Sequence, residues 1–553
     1  MLLTFSLVVT AIQGCYASGI QEVLQGKPIH TATRTVATRP SSPGKCLRET
    51  FAPAAFPQSS PPSSPPLTVQ PLIVSGSASN RVNLVFFSDG YLLDEQGKFF
   101  EDAARLAEDI SGNQTFSTVR PLLNFWAAFS PSNESGIGMN GIPKDTPFGL
   151  FRDGTELRAV YYSKPEVAEA ACSSLGEQCD YPILLGNDPY YGGLGGDYTV
   201  ITSSLANGPL VLRHELGHSI IDVGEEYDGG YAYFGPNAAH DLSQPLPWAH
   251  WLSPIPHSEV AAPRVERSVM PLQEYAWTML STSTPWSTNF TSSGAYSRHL
   301  VRFSLSGLPE ASNLKVLLDG NDLGWIPKDG IGLDRWHYDI FHNYDLSPGQ
   351  HEVKFALVNS EREGTAQLCS VEIIEYGNED EFISTPGHYG IYPTFSEANE
   401  TSYRPTNEDC LMRIVTSPNF CKVCIEGLWL SLLRRVSLID DVKEACEWRP
   451  VPLTSTTQEG SWIKTLDLQL VPLAQFRSDA PEVERNESYT ITWWKDRRVL
   501  KEFTNMTRIE VAGDHQLGTY SISVKFSTDE VKVDKEKLLS SGIKYTVKSN
   551  CGT

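Results

Sequence analysis

Two histidines four residues apart lie in the segment 211–230, VLRHELGHSIIDVGEEYDGG, and a glutamate directly follows the first of them. On an α-helix, residues four apart share one face and lie about 6 Å from each other. The imidazoles of His214 and His218 can therefore reach one ion at the roughly 2.0–2.1 Å typical of zinc–nitrogen bonds. Glu215 is rotated by about 100° from His214 and reaches a water on the open side of the metal. The pattern predicts a hydrolytic zinc centre with Glu215 as general base.

The residues around the two histidines favour a helix. Leu212, Leu216, Ile220 and Val223 are apolar and fall on the opposite face, as expected of a helix that is half buried. We therefore expect the two histidines to project together from a helix that packs on a hydrophobic core.

The third protein ligand is harder to place. The metzincin pattern, which has a third histidine six residues after the second, is absent, and the region after the motif is too rich in Gly and Pro for the second helix of the gluzincin pattern. An acidic segment, GEEYD, occupies 224–228 instead. A continued helix would carry Glu225 roughly 10 Å beyond the second histidine, whereas a chain break at Gly224 could fold a carboxylate back to the metal. The residues leave Glu225, Glu226 and, less favoured, Asp228 as candidates.

Several features of the chain are typical of an exported protein. Residues 1–19 have the shape of a secretory signal peptide, with an apolar stretch from Leu2 to Ile12 and cleavage expected after Ala17 or Gly19. No later apolar run approaches the roughly 18 residues that span a bilayer. We expect a secreted, extracellular glycoprotein without membrane insertion. Its glycosylation signals are six Asn-x-Ser/Thr sequons, at Asn113, Asn133, Asn289, Asn399, Asn486 and Asn505.

Ten cysteines fit an oxidising compartment. Cys172 and Cys179 are close enough in sequence to close a small loop. A local cluster occurs later, formed by Cys410, Cys421, Cys424 and Cys446. Its CKVC element is typical of a zinc or redox pair in cytosol, but disulfides are the favoured interpretation in an exported chain. Loss of Cys15 with the signal peptide leaves an odd number of cysteines, and for Cys46 a disulfide or linker role is favoured over that of a thiolate that caps the zinc.

The net charge of -22 argues against nucleic-acid partners, which need a basic surface. A chain of 553 residues has room for two to four domains. Residues 81–87, RVNLVFF, predict a buried strand, and residues 95–110 predict a helix with Phe99, Ala103, Leu106 and Ile110 on one face. Further strand patterns follow, and the glycine-rich segment NDPYYGGLGGDY is expected to form a flexible loop at the edge of a site. Short strands with frequent turns dominate two later regions. The predicted divisions are a signal peptide at 1–19, a Pro/Ser-rich linker or pro-segment at 20–74, a mixed region at 75–298 that resumes at 376–446, an inserted β-sandwich at 299–375, and an immunoglobulin-like β-sandwich at 450–553.

Four segments, in chain order, carry a resemblance to a known family. They are NLVFFSDGYLLDEQGKFFEDAARL, ESGIG at 134–138, YYGGLGGDY, and HELGHSIIDVGEEYDG. Together they resemble the IgA-peptidase family of zinc metallopeptidases over roughly 75–240, and the resemblance extends to 376–425, where Met412 matches a late Cys-Met stretch. The family has an acidic pair after its second histidine, usually Asp-Glu. The resemblance therefore implies Glu226 as the third ligand beside His214 and His218, with Glu225 as the alternative.

The resemblance implies an α/β (α+β) zincin-like catalytic domain, here with additional all-β sandwich domains. We expect a secreted zinc-dependent endopeptidase, a hydrolase that uses Zn²⁺ and acts on protein or glycoprotein substrates. Neither the sequence nor the resemblance predicts the oligomeric state or the cleavage-site preference.

The alternative is a secreted adhesion or carbohydrate-binding protein, in which an inactive zincin scaffold carries the two β-sandwiches. Aromatic side chains such as Trp325 and Trp336 could stack on sugars in such a protein, although packing in a core is the favoured interpretation of both.

Overall fold

The computed structural model describes residues 63–112, 115–254, 263–450, 460–478, 486–512 and 516–551. The predicted signal peptide, most of the predicted linker, Cys15, Cys46 and the sequon at Asn113 lie outside the described residues. Over the described ranges the protein is a mixed α+β structure with several sheets and few helices, which confirms that part of the predicted fold class.

Four α-helices and 26 β-strands are described. The helices are α1 (Gln96–Gly112), α2 (Pro165–Ser174), α3 (Gly208–Leu216) and α4 (Lys422–Leu433). The strands of the first half are β1 (Thr68–Val74), β2 (Val82–Asp89), β3 (Leu123–Phe129), β4 (Leu150–Phe151), β5 (Tyr161–Tyr162), β6 (Tyr181–Gly186), β7 (Gly193–Leu194), β8 (Thr199–Thr202), β9 (Ser268–Glu274), β10 (Thr278–Met279), β11 (Trp286–Ser292), β12 (Arg298–Ser306) and β13 (Leu314–Leu318). Those of the second half are β14 (Asn321–Asp322), β15 (Trp336–His342), β16 (Gly349–Leu357), β17 (Gln367–Tyr376), β18 (Tyr392–Phe395), β19 (Thr401–Arg404), β20 (Ile439–Pro450), β21 (Gly460–Leu470), β22 (Ser488–Lys495), β23 (Arg498–Val499), β24 (Arg508–Ala512), β25 (Gly518–Ser527) and β26 (Ser540–Val547).

The first region is organised by a six-stranded sheet in the order β1-β3-β2-β6-β8-β7. Its four inner strands are parallel, and β1 and β7 pair antiparallel at the two edges. All eight residues of β2 are buried, as expected when helices or loops cover both faces of a parallel sheet. Helix α1 covers one face through Phe99, Ala103, Leu106 and Ile110, the face predicted from their spacing.

Two sheets form the middle of the chain. One joins β9, β10, β12, β15 and β17, and the other has the order β11-β16-β13-β14. Their inner faces share a hydrophobic core that includes Phe303 and Phe355, which is the packing of a β-sandwich. Strands β9 to β11 precede residue 299 in the chain, and they belong to these same two sheets.

The last region contains two more sheets, β20-β21-β24 and β23-β22-β25-β26. A disulfide between Cys446 and Cys551 joins its ends. Its core is continuous with that of the first region, because Trp429 of α4 packs against Phe526 with ring centroids 5.3 Å apart. No helix among the described residues is long and apolar enough to cross a membrane.

Candidate metal centre

The two histidines project from one helix whose last turn is unusual. Helix α3 continues directly into a π-helical turn at Gly217–Ile221, which carries His218. Such turns are uncommon and occur frequently at functional sites. The helix ends where Asp222 adopts a left-handed conformation with φ 61°. The break that was expected at Gly224 therefore lies two residues earlier.

Gly224 serves a different purpose from the one expected. Its φ is not among the positive values of the chain. A Cβ at this position would lie 2.4 Å from the backbone oxygen of Ala232 and from the backbone nitrogen of Phe234. The backbone N–H groups of Gly224 and Glu225 donate to the carbonyl oxygens of Phe234 and Ala232, at 2.8 Å each. Close backbone packing, rather than positive φ, thus requires glycine here.

Both imidazole rings are held by backbone carbonyl groups. His214 Nδ1 lies 3.2 Å from the carbonyl oxygen of Leu411, and His218 Nδ1 lies 2.8 Å from that of Val223. A carbonyl oxygen only accepts, so each Nδ1 carries the proton and donates it. In the neutral form of each ring Nε2 is then the acceptor, which is the form that a metal-ligating histidine takes.

Glu225 completes a group of three ligand atoms. Its Oε2 lies 3.2 Å from His214 Nε2, and its Oε1 lies 3.1 Å from His218 Nε2. Ligands bound to zinc at 2.0–2.1 Å in tetrahedral geometry are about 3.3–3.4 Å apart. The donor types and their separations therefore fit a cation such as zinc.

The structure does not bring Glu226, the predicted third ligand, to the histidines. Its Oε1 accepts a hydrogen bond from Asn237 Nδ2 at 2.9 Å, and its backbone N–H donates to the carbonyl oxygen of Met412 at 2.9 Å. The physical reason is the chain direction after the helix: the non-helical backbone turns adjacent side chains to different sides, so that Glu225 faces the histidines and Glu226 faces away from them. Of the two glutamates, Glu225 therefore lies beside the histidines and Glu226 does not.

Asp228, the least favoured candidate, is also engaged elsewhere. Its Oδ2 forms a buried ion pair with Arg413 Nη1 at 2.7 Å, and its Oδ1 accepts from the backbone N–H of Phe395 at 2.8 Å. These contacts make Asp228 an anchor of the loop after the helix rather than a ligand.

The charges of these side chains are strongly coupled. Burial opposes protonation of His218, but the adjacent Glu225 carboxylate outweighs it and raises the pKa of His218 to about 9. Burial likewise opposes protonation of His214, and Glu225 raises its pKa. Burial favours the neutral form of Glu225, yet the two imidazoles hold its pKa well below the usual value. The pKa of Glu215 is raised, first by burial and then by the charge of Glu225.

Glu215 lies against the glycine-rich loop that precedes the helix. A Cβ at Gly195 would lie 2.7 Å from Glu215 Oε2 and 3.2 Å from His218 Cδ2, and a Cβ at Gly193 would lie 3.2 Å from Glu215 Oε1. The glycines of YYGGLGGDY therefore allow edge strand β7 to approach the proposed general base closely.

The site opens into a cavity of about 560 Å³ between the first region and the middle β-sandwich. The sandwich supplies Tyr275, Trp277 and Arg335 to the wall. The guanidinium of Arg335 lies 4.8 Å from the ring centroid of Trp277 and 4.7 Å from that of Tyr191 on the opposite wall. The preceding residue, Asp334, accepts from the side-chain amide of Asn207 at 2.8 Å, just before α3 begins.

Sequence reasoning did not find these wall residues. Tyr191 lies in the glycine-rich loop that was expected at a site edge, so its motif was visible. Nothing near Trp277 or Arg335 in sequence points to the site, because only the folding of the sandwich against the first region brings them there.

Segments that carried the family resemblance pack against one another in the fold. Asp89 of the first segment is buried and accepts hydrogen bonds from the backbone N–H groups of Phe148 and Leu150 at 2.7 and 2.9 Å. Gly90 approaches Gly136 of ESGIG so closely that a Cβ on Gly90 would lie 2.5 Å from the backbone oxygen of Gly136. Met412 Sδ lies 3.0 Å from where a Cβ would stand on Gly217, so this methionine packs directly against the helix that carries the two histidines.

The model of the family described as IgA Peptidase M64 matches residues 70–254. Over these residues the chain is similar to that family. The match begins within β1 and includes β2 to β8, α1 to α3 and the HELGH motif, and it ends before the two later β regions and before Met412. The family is one of metallopeptidases, which agrees with a cluster able to hold a metal ion.

The other comparisons add little. No curated protein matches the chain. A GH2 beta-galacturonidase from Eisenbergiella tayi is 9% identical with a TM-score of 0.10, over 47% of this chain and 35% of that one. A cycloisomaltooligosaccharide glucanotransferase from Paenibacillus sp. is 10% identical with a TM-score of 0.15, over 66% of this chain and 58% of that one. Both similarities are too low to indicate a fold or a function.

Proposed function

We propose that this protein is a secreted zinc endopeptidase of the M64 family with a zincin-like catalytic domain. In this proposal His214, His218 and Glu225 hold the metal, and Glu215 is the general base. The observation that carries the proposal is the ligand geometry: a carboxylate lies 3.1 and 3.2 Å from two Nε2 atoms, and the Nδ1 atoms of both rings are held by carbonyl oxygens.

Zinc bound there would supply a Lewis acid that lowers the pKa of a bound water and polarises the scissile carbonyl. Glu215 would take a proton from the attacking water and pass it to the departing amine nitrogen. Burial raises the pKa of Glu215, which makes it a stronger base than an exposed glutamate and a competent acid in the second half of the reaction.

Two phenols are candidates for stabilising the oxyanion that forms on the scissile carbonyl. Tyr191 and Tyr227 line the cavity, and both lie near enough to Glu225 for its charge to act on them. Burial raises the pKa of both hydroxyls, and Glu225 raises them further. The hydroxyls therefore stay protonated and can donate hydrogen bonds to developing negative charge.

The sheet edge indicates where the substrate binds. Strand β7 pairs antiparallel with β8 on one side and is the last strand of the sheet. It also borders the cavity at Gly193, beside Glu215. An extended polypeptide could add to this edge through backbone hydrogen bonds, a mode of recognition that depends little on side chains. This placement favours unfolded or loop segments of protein or glycoprotein substrates.

Secretion as a glycoprotein is part of the proposal. Asn133, Asn289, Asn399, Asn486 and Asn505 are all exposed, as acceptors of glycans must be. Disulfides at Cys172–Cys179 and Cys446–Cys551 fit an oxidising compartment. Trp325, one of the two aromatic candidates for carbohydrate binding in the alternative, is buried in the sandwich core.

The decisive experiment is cleavage-site profiling of the zinc-loaded protein on a proteome-derived peptide library. We expect chelator-sensitive endoproteolysis that disappears in Glu215→Ala. Cleavage that persists unchanged in this variant would overturn the assignment of Glu215. An absence of cleavage by the zinc-loaded protein, combined with glycan binding, would favour the adhesion alternative.

A further inference from the structure

A second cluster of potential ligands lies on the other side of the 224–228 segment. It consists of Glu226, Cys410, Cys421 and Cys424, all of which are buried. One ligand atom from each of them lies within 4.8 Å of those of all the others. This cluster takes no part in the proposed peptidase chemistry.

The sulfur atoms have the separations of a metal site. Cys424 Sγ lies 3.8 Å from Cys410 Sγ and 3.8 Å from Cys421 Sγ. Thiolates bound to zinc at about 2.3 Å in tetrahedral geometry are about 3.8 Å apart. Four other cysteines of the described chain form two disulfides, whereas these three are free. Three thiols cannot all be paired with one another, so any disulfide among them would leave one thiol buried beside Glu226.

Glu226 gives independent evidence that the cluster holds a cation. The side chain is fully buried, and its Oε2 has no hydrogen-bond partner among the described residues. Its Oε1 lies 4.0 Å from Cys424 Sγ. A buried carboxylate without a partner for one oxygen is costly, and a cation bound between that oxygen and the thiolates would remove the cost. Arg404 is close enough for its positive charge to act on Glu226 and would offset part of the excess negative charge.

The local chain geometry is that of a short metal-binding turn. Cys421 is the residue before the first turn of the 12-residue helix α4, and Cys424 lies within that turn. The backbone N–H of Cys421 donates to Cys410 Sγ at 3.4 Å. Two cysteines separated by two residues are a common half of structural zinc sites.

We propose that Cys410, Cys421, Cys424 and Glu226 bind a second zinc ion with a structural role. Four protein ligands close the coordination sphere, and the residues are buried, so this zinc has no open position for a substrate. Each thiol loses its proton when zinc binds, and the protons pass to solvent. The proposal does not depend on peptidase activity.

The second site is connected to the first through two short stretches of backbone. Glu226 directly follows Glu225, the proposed ligand of the first site. Cys410 directly precedes Leu411, whose carbonyl oxygen holds His214 Nδ1. The structural zinc would therefore fix the positions of two of the three ligands at the first site. Loss of such support typically lowers metal affinity by about 10–100-fold.

The test combines metal content with X-ray absorption at the zinc edge, on the full chain. We expect two zinc ions per wild-type chain, one for each cluster, and one in the His214→Ala/His218→Ala variant. The zinc that remains in this variant should show mainly sulfur ligands at about 2.3 Å. Cys421→Ser/Cys424→Ser should lose this zinc, and the control Cys369→Ser, which changes a buried free cysteine elsewhere, should keep it. A folded His214→Ala/His218→Ala variant without zinc would overturn the proposal.

Thiol counting on the wild type provides a test that needs no variant. The protein is unfolded with a chelator and alkylated without reductant, and its peptides are then analysed by mass spectrometry. We expect all three cysteines to be alkylated. A disulfide between any two of them would overturn the proposal. Neither measurement uses proteolysis, so failure here is distinguishable from failure of the proposed peptidase function.

Discussion

Two adjacent glutamates of the same chemistry end in two different sites. Glu225 joins two imidazoles at the edge of a cavity of about 560 Å³, whereas Glu226 joins three buried thiols and the amide of Asn237. In the two proposals above, the first site has three protein ligands beside the cavity, and the second has four ligands, all of them buried. An open position is what a catalytic metal needs, and a closed set of four is what a structural metal needs. The surroundings of each carboxylate, rather than its residue type, therefore set the role that we propose for it.

Substitution of each glutamate in turn should have the largest effects, and these effects should differ between the two sites. We expect Glu225→Gln to abolish proteolysis, because the first site loses its only anionic ligand, and to retain the sulfur-bound zinc. We expect Glu226→Gln to retain measurable proteolysis with about 10–100-fold weaker binding of the catalytic zinc. Zinc titration and cleavage assays on both variants check this. The reverse pattern would restore Glu226 as the catalytic ligand and break the comparison.

Substitution of Glu215, the proposed general base, should greatly reduce catalysis at the first site and should leave zinc binding at the second site unchanged. Glu215→Gln removes the proton acceptor but not a ligand, so we expect kcat to fall by about 10²–10⁴-fold with both zinc ions retained. Glu101→Gln, on the exposed side of α1, is the matched control and should be neutral. Loss of zinc in Glu215→Gln would show that this residue acts at the metal instead.

The close approach of β7 and the residue after it to Glu215 predicts a smaller effect, on catalysis at the first site only. In Gly195→Ala the new Cβ would stand 2.7 Å from Glu215 Oε2, so the carboxylate must move. We expect kcat/KM to fall by about 10-fold or more, with little change in the melting temperature or in zinc content. Gly97→Ala, where a Cβ meets nothing within 4 Å, should leave activity unchanged. Equal activity of the two variants would contradict the placement of Glu215.

The smallest predicted effect is on the pH dependence of the free energy of unfolding, measured after a chelator has removed zinc. Without zinc, Glu225 raises the pKa of His218 from 6.5 to about 9. A raised pKa means that protonated His218 stabilises the fold at low pH, and this contribution declines as pH rises from about 6.5 to 9. Urea unfolding measures this free energy for the zinc-free wild type and for zinc-free His218→Ala. We expect it to fall more steeply with rising pH in the wild type than in the variant over this range. Parallel curves would show that the Glu225–His218 contact is weak in solution.

Local pattern predicted much of the molecule correctly. Strand β2 and helix α1 lie within two residues of their predicted bounds, since an unbroken apolar run and a 3.6-residue period are local signals. The Cys172–Cys179 disulfide closes a short loop that was visible in sequence. In contrast, Cys446 was grouped with the cysteines that precede it, but it pairs with Cys551, 105 residues away. Cys446 lies on β20 and Cys551 follows β26 in the other sheet of this region, so the packing of the two sheets sets that partner and no local spacing indicates it.

The same division holds at the metal centre. The sequence by itself determined the HELGH spacing, the role expected of Glu215 and the need for a chain break before a third ligand, because all three depend on helix geometry alone. Only the tertiary structure decided that Glu225, and not Glu226, lies beside the two histidines. That choice depends on backbone contacts from Leu411 and Met412, about 190 residues further along the chain, and on the thiols that surround Glu226. Long-range packing sets the direction of each side chain there, so the sequence of the acidic segment alone does not indicate which glutamate faces the histidines.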